Sequence, residues 1–214
     1  MKLIKSMTIL TLFWSMILSG IPTDDAMGAE TIGKVVAVRG NVMAVDQHKN
    51  QRPLKLKSPV YLHDTVNTRK GRVQLMFEDN TLITLGRSTV MEISKYSWQS
   101  GDKEAEMETR VSEGSFRIMG GAITRTAPQN FKTHAPSGTI GIRGSMYAGV
   151  IKGPAMSVLF QGGKGIYVRN PAGRVEISRP GFGTRIAAPD LPPEPPRPVP
   201  QEEVIALEQV LARA

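Results

Sequence analysis

The chain has 214 residues, a formal net charge of +8 and no cysteine. Without cysteine there are no disulfide bonds and no lipidated-cysteine anchor, so any core must form by hydrophobic packing, for which the chain is long enough. The basic residues are dispersed, and aromatic residues make up only 6% of the chain. This composition argues against the stacking platforms that bind single-stranded nucleic acid, so no nucleic-acid partner is expected.

The first segment predicts export. Lys2 and Lys5 precede an apolar run that ends near Ile21, and the small residues Ala26 and Gly28 follow. This is the layout of a secretory signal peptide. A membrane anchor would need about 20 apolar residues, and the rest of the chain offers no transmembrane candidate. We therefore expect cleavage of residues 1–28 and a periplasmic or secreted mature protein.

Residues 31–187 predict an all-β domain of many short strands, solenoid-like or sandwich-like. Runs rich in β-branched and apolar residues alternate with Gly, Pro, Asn and Asp at spacings of about ten residues, and no helical period is present. The predicted strands are 34–38, 42–45, 59–62, 72–77, 81–85, 89–94, 105–111, 115–119, 130–133, 145–151, 155–160, 165–169, 174–178 and 184–187.

Two hairpins are predicted. Asp79 and Asn80 both tolerate positive φ, which favours a type I′ turn that places Phe77 opposite Leu82. Both faces of that pair would be apolar, so we expect it in the middle of the domain. The turn-forming segment 170–173 predicts a second hairpin between 165–169 and 174–178.

The composition changes near the C-terminus. Residues 180–200 contain eight of the 15 prolines, so residues 188–200 are predicted to be a linker, either extended polyproline II or disordered. Residues 201–214 predict a short amphipathic helix with Val204, Leu207 and Leu211 on one face. Such a helix is marginal alone. It docks either on the β domain or on a partner, and the sequence leaves both possibilities open.

The search for chemistry predicts no enzyme, no metal and no cofactor. The three histidines lack metal-ligand spacing relative to each other. His134 is close to Ser137, but no G-x-S-x-G elbow or other nucleophile context surrounds them. The glycine-rich segments do not match phosphate-binding or dinucleotide-binding loops.

Residues 131–145 contain the most informative pattern, in which Gly138, Gly141 and Gly144 recur every third residue. Glycines so close together indicate a demanding backbone path. We expect Arg143 to be partly buried, with its guanidinium bound to carbonyls of this glycine-rich turn. The alternative is an exposed, ligand-binding arginine.

Several motifs occur in a fixed order between residues 64 and 162. They are 64–68 (DTVNT), 71–81 (GRVQLMFEDNT), 85–90 (LGRSTV), 113–117 (EGSFR) and 136–145 (PSGTIGIRGS). With these motifs the chain resembles the FecR-domain family, the domain of periplasmic signal regulators of the iron-dicitrate type. The regulators of sigma factors in that family have an N-terminal domain and a transmembrane helix, so this chain resembles the stand-alone exported members.

The resemblance implies an all-β fold in which short strands wind into a twisted, solenoid-like domain. It also marks a set of motif residues, for which we expect structural roles rather than binding roles. They are Asp64, Thr68, Gly71, Phe77, Asp79, Asn80, Gly114, Pro136, Gly138, Gly141, Arg143, Gly144 and Ser145.

Two functional hypotheses follow. The first is a non-enzymatic exported sensing or interaction module that acts in envelope signalling through contact with a protein partner. The second is a cell-envelope protein that binds an anionic glycan or polysaccharide through its basic surface. Salt separates the two, because charge-based binding weakens at high ionic strength and an apolar interface persists.

Overall fold

A computed structural model describes residues 30–101 and 103–212, and strands dominate it. The predicted signal peptide, residues 1–28, lies outside the described residues. The elements are β1 (Thr31–Arg39), β2 (Met43–Val45), β3 (Gln51–Pro53), β4 (Pro59–Tyr61), β5 (Thr65–Asn67), β6 (Arg72–Phe77), β7 (Leu82–Leu85), β8 (Val90–Ser97), β9 (Glu106–Met119), α1 (Ile123–Thr126), a 3-10 turn (Pro128–Asn130), β10 (Phe131–Ala135), β11 (Gly138–Ile142), β12 (Met146–Lys152), β13 (Ala155–Gly162), β14 (Ile166–Asn170), β15 (Gly173–Ile177), β16 (Phe182–Ile186), β17 (Arg197–Pro198) and α2 (Gln201–Leu211).

The strands form two sheets that share β9. Sheet A has the order β4-β1-β6-β7-β9-β12-β13-β16-β17. Sheet B has the order β3-β2-β5-β8-β9-β10-β11-β14-β15. The first part of β9, up to Glu113, pairs in sheet B, and the part from Gly114 onward pairs in sheet A. The β9–β10 pair is parallel, and the other pairs are antiparallel.

The hydrophobic core is formed by both sheets. Alternate residues of β6 are buried, and Val73 and Leu75 have no exposed surface. Met91 and Ile93 of sheet B belong to the same buried cluster. Since side chains alternate across a strand, one face of each sheet meets the core and the other faces outward. Successive hairpins fall alternately in sheets B and A from β10 to β17, so the fold is all-β with a repeated winding.

Most of the predicted strands are present, with three differences. The strands predicted at 105–111 and 115–119 are one continuous strand, β9. The glycine-rich segment expected as a turn is strand β11. Strands β3, β5 and β17 were not predicted, because each has only two or three residues with little apolar character. So short a run gives no readable alternation.

The first hairpin has a different register from the predicted one. Leu82 lies opposite Met76 rather than Phe77. Of the Asp79-Asn80 pair only Asn80 has positive φ, at 65°, so the turn is not type I′. Instead Phe77 N–H donates to Thr81 O at 2.9 Å, so the loop contains residues 78–80, one residue more than a type I′ turn. The hairpin nevertheless lies within sheet A, between β1 and β9, as expected.

The second predicted hairpin, between 165–169 and 174–178, is present as strands β14 and β15. Strands β14 and β15 pair with Asn170 opposite Gly173. The Asn170 side-chain oxygen accepts hydrogen bonds from the N–H groups of Ala172 at 3.0 Å and Gly173 at 3.1 Å. The side chain therefore closes the turn in the way that asparagine favours.

The proline-rich segment 188–200, here called the strap, differs from the expected free linker because it is bound to sheet A. Glu194 N–H donates to Arg185 O at 2.9 Å, and Thr184 Oγ1 donates to Glu194 O at 2.6 Å. Val199 N–H donates to Gly181 O at 2.9 Å. Proline lacks an N–H group, and these donors are the non-proline residues between prolines. The segment can therefore form part of an edge strand despite its composition.

Two truncations separate the contributions of the strap and α2. A chain ending at Pro200 loses only α2, which buries one leucine completely, so its free energy of unfolding should fall by about 1–3 kcal/mol. A chain ending at Ala188 also loses the strap, whose hydrogen bonds contribute about 0.5–1.5 kcal/mol each. It should unfold at a clearly lower denaturant concentration, with β circular dichroism retained in both. Equal midpoints for the two truncations would contradict a bound strap.

Candidate functional site

Asp79 is a buried carboxylate that joins a hairpin to a distant loop. Its Oδ1 accepts from Thr81 N–H at 3.0 Å, and its Oδ2 accepts from the Thr81 hydroxyl at 2.7 Å. Oδ2 also accepts from Ile123 N–H at 3.2 Å, and the Asp79 carbonyl accepts from Ala122 N–H at 2.8 Å. Asp79 N–H donates to Tyr96 Oη at 3.0 Å. Such charge-assisted bonds to backbone groups are strong, so Asp79 fixes the β6–β7 turn against the start of α1.

A second buried network connects hydroxyl groups of three segments. The Thr68 hydroxyl donates to Gly86 O at 2.7 Å and accepts from Thr89 N–H at 2.8 Å. The Thr89 hydroxyl accepts from Ser115 N–H and donates to Ser115 O, each at 3.0 Å. Gly114 precedes Ser115 with φ at +96°, and a Cβ there would lie 2.3 Å from Thr89 Oγ1. Only glycine fits at this point.

Asp64 forms a third cluster with Arg52. The Arg52 guanidinium is bound to Asp64 Oδ2, which also accepts from Tyr61 N–H at 2.9 Å. Burial raises the pKa of Asp64, and the bond from Tyr61 and the charge of Arg52 only partly offset that effect. Arg52 additionally donates to Pro59 O at 3.1 Å and lies over the Tyr61 ring, so it holds the β3–β4 loop.

The glycine-rich segment is structural in two places. At Gly141 a Cβ would lie 2.0 Å from Cζ of Tyr167, because the Tyr167 ring rests on the bare backbone of β11. The Ser145 hydroxyl accepts from Gly165 N–H at 3.0 Å and donates to Gly165 O at 2.8 Å. We expected Arg143 to be partly buried, but its side chain is exposed. Among residues 30–101 and 103–212 no carbonyl accepts a hydrogen bond from its guanidinium.

The motif residues therefore do not gather at one site. Asp64, Thr68, Gly71, Phe77, Asp79, Gly141 and Ser145 are buried, whereas Asn80, Pro136 and Arg143 are exposed in loops, and Gly114, Gly138 and Gly144 are intermediate. Each buried polar member has hydrogen-bond partners within the domain. Their distribution fits structural roles for the buried members, so a binding surface must be formed largely by other residues.

Helix α2 occupies such a surface on the outer face of sheet A. The predicted apolar face is the docked face, with Leu211 buried and Val204 and Leu207 half-buried. Glu208 accepts hydrogen bonds from Gln161 Nε2 at 2.8 Å and from the Arg117 guanidinium. Of the two possibilities left open by the sequence, the structure has the helix on its own domain.

An open groove continues past the end of α2. We call it the methionine groove. Its volume is about 540 Å³. Met119 at its wall is 47% exposed. Methionine is flexible and polarisable, and it is common at surfaces that adapt to different partners. The groove is lined by Gln74, Leu82, Thr84, Arg117, Met119 and Met146, together with Leu211 of the helix.

The β domain binds α2 weakly. Complete burial of one leucine contributes about 1.5–3 kcal/mol, and a partly exposed ion pair such as Arg117–Glu208 contributes at most about 1 kcal/mol. The helix has 11 residues and no side-chain cap at Pro200, so it is marginal in isolation. An occupant held this way can be exchanged for another.

His134 belongs to an ion-pair cluster on sheet B. Its Nε2 lies 3.2 Å from Glu108 Oε2, and Lys132 Nζ lies 3.3 Å from Glu108 Oε1. Burial raises the pKa of Glu108, but the bonds from His134 and Lys132 outweigh it, so the pKa lies below its usual value. His134 Nδ1 is 3.1 Å from Thr139 Oγ1. Both ring nitrogens are thus engaged in cross-strand contacts.

The described residues contain neither a metal-binding cluster nor a membrane-spanning helix. Within residues 30–101 and 103–212, no group of three or more histidine, aspartate or glutamate side chains is placed to hold a metal ion. In the same part of the chain, none of the helices has the length and apolar character that a membrane crossing requires.

Comparison with known proteins agrees with the fold. Residues 64–164 match the family model described as FecR protein. Two solved structures, each described as a candidate anti-sigma factor from Parabacteroides distasonis, superpose with TM-scores of 0.51 and 0.53 at 16% and 15% identity. The alignments cover 67% of this chain and 63% and 62% of theirs, so the chain spans less than two thirds of their length. At such identity they show the fold alone. No protein with a curated description matches the chain.

Replacement of Asp79 tests its structural role. Asp79→Asn keeps the shape but places an amide donor among N–H and O–H donors, so the free energy of unfolding should fall by about 2–3 kcal/mol. Asp46→Asn is the matched control, because Asp46 closes a similar turn but is only half-buried, and its hydrogen bonds are exposed. Urea unfolding of both variants measures the difference. Equal stability loss in the two would show that the buried network contributes nothing extra.

The Glu108 cluster predicts an acid-sensitive contribution to stability. A lowered carboxyl pKa stabilises the fold fully above the usual glutamate pKa, and the contribution disappears as the pH falls through the lowered value. Glu108→Gln should therefore be less stable than the parent at neutral pH, and the gap should close as the pH falls below the usual glutamate pKa and through the lowered one. Glu176→Gln, at an exposed ion pair, is the control. A gap for Glu108→Gln that does not change with pH would contradict the assignment.

Proposed function

The chain is a FecR-domain protein, and on that premise we propose that it is a non-enzymatic sensing and interaction module that acts in envelope signalling through protein–protein contact. The observation that carries the proposal is the methionine groove, an open surface of apolar and polar side chains beside a weakly held helix. The fold relationship to structures described as candidate anti-sigma factors supports a regulatory role. The envelope location rests on the signal-peptide layout of residues 1–28.

The groove suits a helical partner. Helix α2 lies across this part of sheet A with its apolar face inward. Gly86 leaves room for the helix, because a Cβ there would lie 3.0 Å from Cγ1 of Val210. Amphipathic helices commonly bind in apolar grooves of this kind. A partner helix can therefore take the place of α2.

The polar contacts of α2 indicate the chemistry of that partner. Glu208 and Leu211 are three residues apart, so they point to the same side of the helix. Glu208 meets the cationic Arg117 and the amide of Gln161, while Leu211 enters the apolar part of the groove. The matching partner is an amphipathic helix with an acidic residue one turn before a large apolar residue.

Helix α2 then acts as a tethered competitor. A short tether gives an effective concentration in the millimolar range, so a partner must bind the groove more tightly than α2 does. Because the docking of α2 depends on one fully buried side chain, loosening that contact should favour the partner. Partner binding and α2 docking exclude each other in this scheme.

A labelled peptide with the sequence of residues 200–212 probes the groove. Leu211→Ala in the full-length chain loses about 2–5 kcal/mol of leucine burial, so α2 should dissociate. The peptide should then bind the Leu211→Ala variant at least tenfold more tightly than it binds the parent, because a loss of about 1.4 kcal/mol in α2 docking already changes the affinity tenfold. Adding Met119→Lys should abolish binding, and adding Leu56→Lys, at another exposed apolar residue, should not. Fluorescence anisotropy measures all four proteins.

Cross-linking in envelope extracts then tests the biological contact. A partner captured by the parent, retained at high salt and by Leu56→Lys, and lost with Met119→Lys would support the groove. Equal capture by both lysine variants, or equal peptide binding by all proteins, would overturn it.

A further inference from the structure

A second groove lies at one end of sheet B, on the opposite sheet from the methionine groove. We call it the basic groove. Its volume is about 510 Å³, and its walls come from β11, β14, β15 and the 3-10 turn. Four cationic side chains and one carboxylate surround it, a local excess of three positive charges. They are Arg143, Lys164, Arg169, Arg174 and Glu176.

Tyr167 holds one of the arginines in place. One side of its ring rests on the backbone of Gly141, and the Arg174 guanidinium lies over the ring, 4.3 Å from the centroid. Glu176 accepts a hydrogen bond from Arg174 at 2.7 Å. A guanidinium ordered in advance loses less entropy when it binds a ligand. With both sides of the ring in contact, Tyr167 positions Arg174 and offers no stacking surface of its own.

The other cations are not neutralised by the protein. Arg169 lies directly opposite Arg174 in the β14–β15 pair, and like charges in such positions destabilise a sheet. Among residues 30–101 and 103–212, no carboxylate pairs with Arg143, Lys164 or Arg169. An anion bound between them would offset the repulsion, and arginine forks bind carboxylates through two parallel hydrogen bonds.

The shape and lining of the groove indicate the class of anion. Its cations form two pairs: Arg169 and Arg174 oppose each other on β14 and β15, whereas Arg143 and Lys164 flank the ends of β11 and β14. The pairs are four or more residues apart along the strands, which is roughly 13 Å. A single small oxyanion cannot contact all of them. The neutral polar side chains of Gln129 and Ser178 also line the groove, and both can hydrogen-bond sugar hydroxyls. None of the exposed large hydrophobic residues lines it, so it lacks the apolar anchors typical of peptide sites.

From these features we infer that the basic groove binds an anionic glycan whose successive sugars bear carboxylates. Arg169 and the preordered Arg174 bind one carboxylate, and Arg143 and Lys164 bind another farther along the glycan. Gln129 and Ser178 bind hydroxyl groups between them. This site is independent of the methionine groove and of the proposed protein partner.

Calorimetric titration with trigalacturonate tests the assignment on the full-length protein. Binding should be measurable at low salt, weaken with added salt, and exceed the binding of maltotriose, inorganic phosphate and pentaglutamate. The double variant Arg169→Gln/Arg174→Gln should lose at least tenfold in affinity. Arg110→Gln, on the same outer face but paired with Glu92, and Met119→Lys should both bind like the parent.

Three results would overturn the inference. Absence of trigalacturonate binding would do so directly. Equal affinity for phosphate would reduce the groove to a simple anion site, and equal affinity for pentaglutamate would make it a general polyanion surface. Met119→Lys changes only the methionine groove. A failure of the glycan experiment therefore does not contradict the proposed protein contact, and a failure of the peptide experiment does not contradict the glycan site.

Discussion

The structure depends on one strand that belongs to both sheets. Strand β9 pairs with β8 and β10 in its first part and with β7 and β12 in its second. The change of sheet occurs at Gly114, where positive φ and contact with Thr89 leave no room for a side chain. The Thr89 hydroxyl binds both backbone groups of Ser115 at that point. If this crossing is lost, the two sheets no longer enclose a common core.

The sequence predicts the strands well because burial on one face leaves a visible alternation, as in Val73, Leu75 and Phe77. It does not predict the register at Asp79, since that depends on N–H groups of residues 122 and 123, some forty positions away. The strap is missed for a different reason. A high proline content shows that most backbone N–H donors are missing from the segment. The strap nevertheless binds sheet A through the N–H groups that remain, at Glu194 and Val199.

Neither groove could be predicted from the sequence, because the residues that line each groove are far apart along the chain and form no local pattern. The cations of the basic groove come from positions 143 to 174 and meet only because β11, β14 and β15 are neighbours. Met119 and Met146 likewise meet only through the β9–β12 pair. The dispersed basic residues of the sequence therefore do not indicate where a groove forms. By contrast, the family motifs are dense in sequence, and most of their buried polar members serve hydrogen-bond networks inside the domain.

This division explains why the family signature identifies the fold and leaves the ligand open. Asp79 and Thr68 bind backbone groups of this domain, and Gly141 makes room for the Tyr167 ring. The charged residues of the basic groove are outside the core, and among them Arg143 alone is also a motif residue. Strand β9 extends from Glu108 in sheet B to Arg117 beside α2, so one element connects the outer faces of the two sheets. One domain can thereby hold an apolar surface and a charged surface apart, on opposite faces, each with its own dependence on salt.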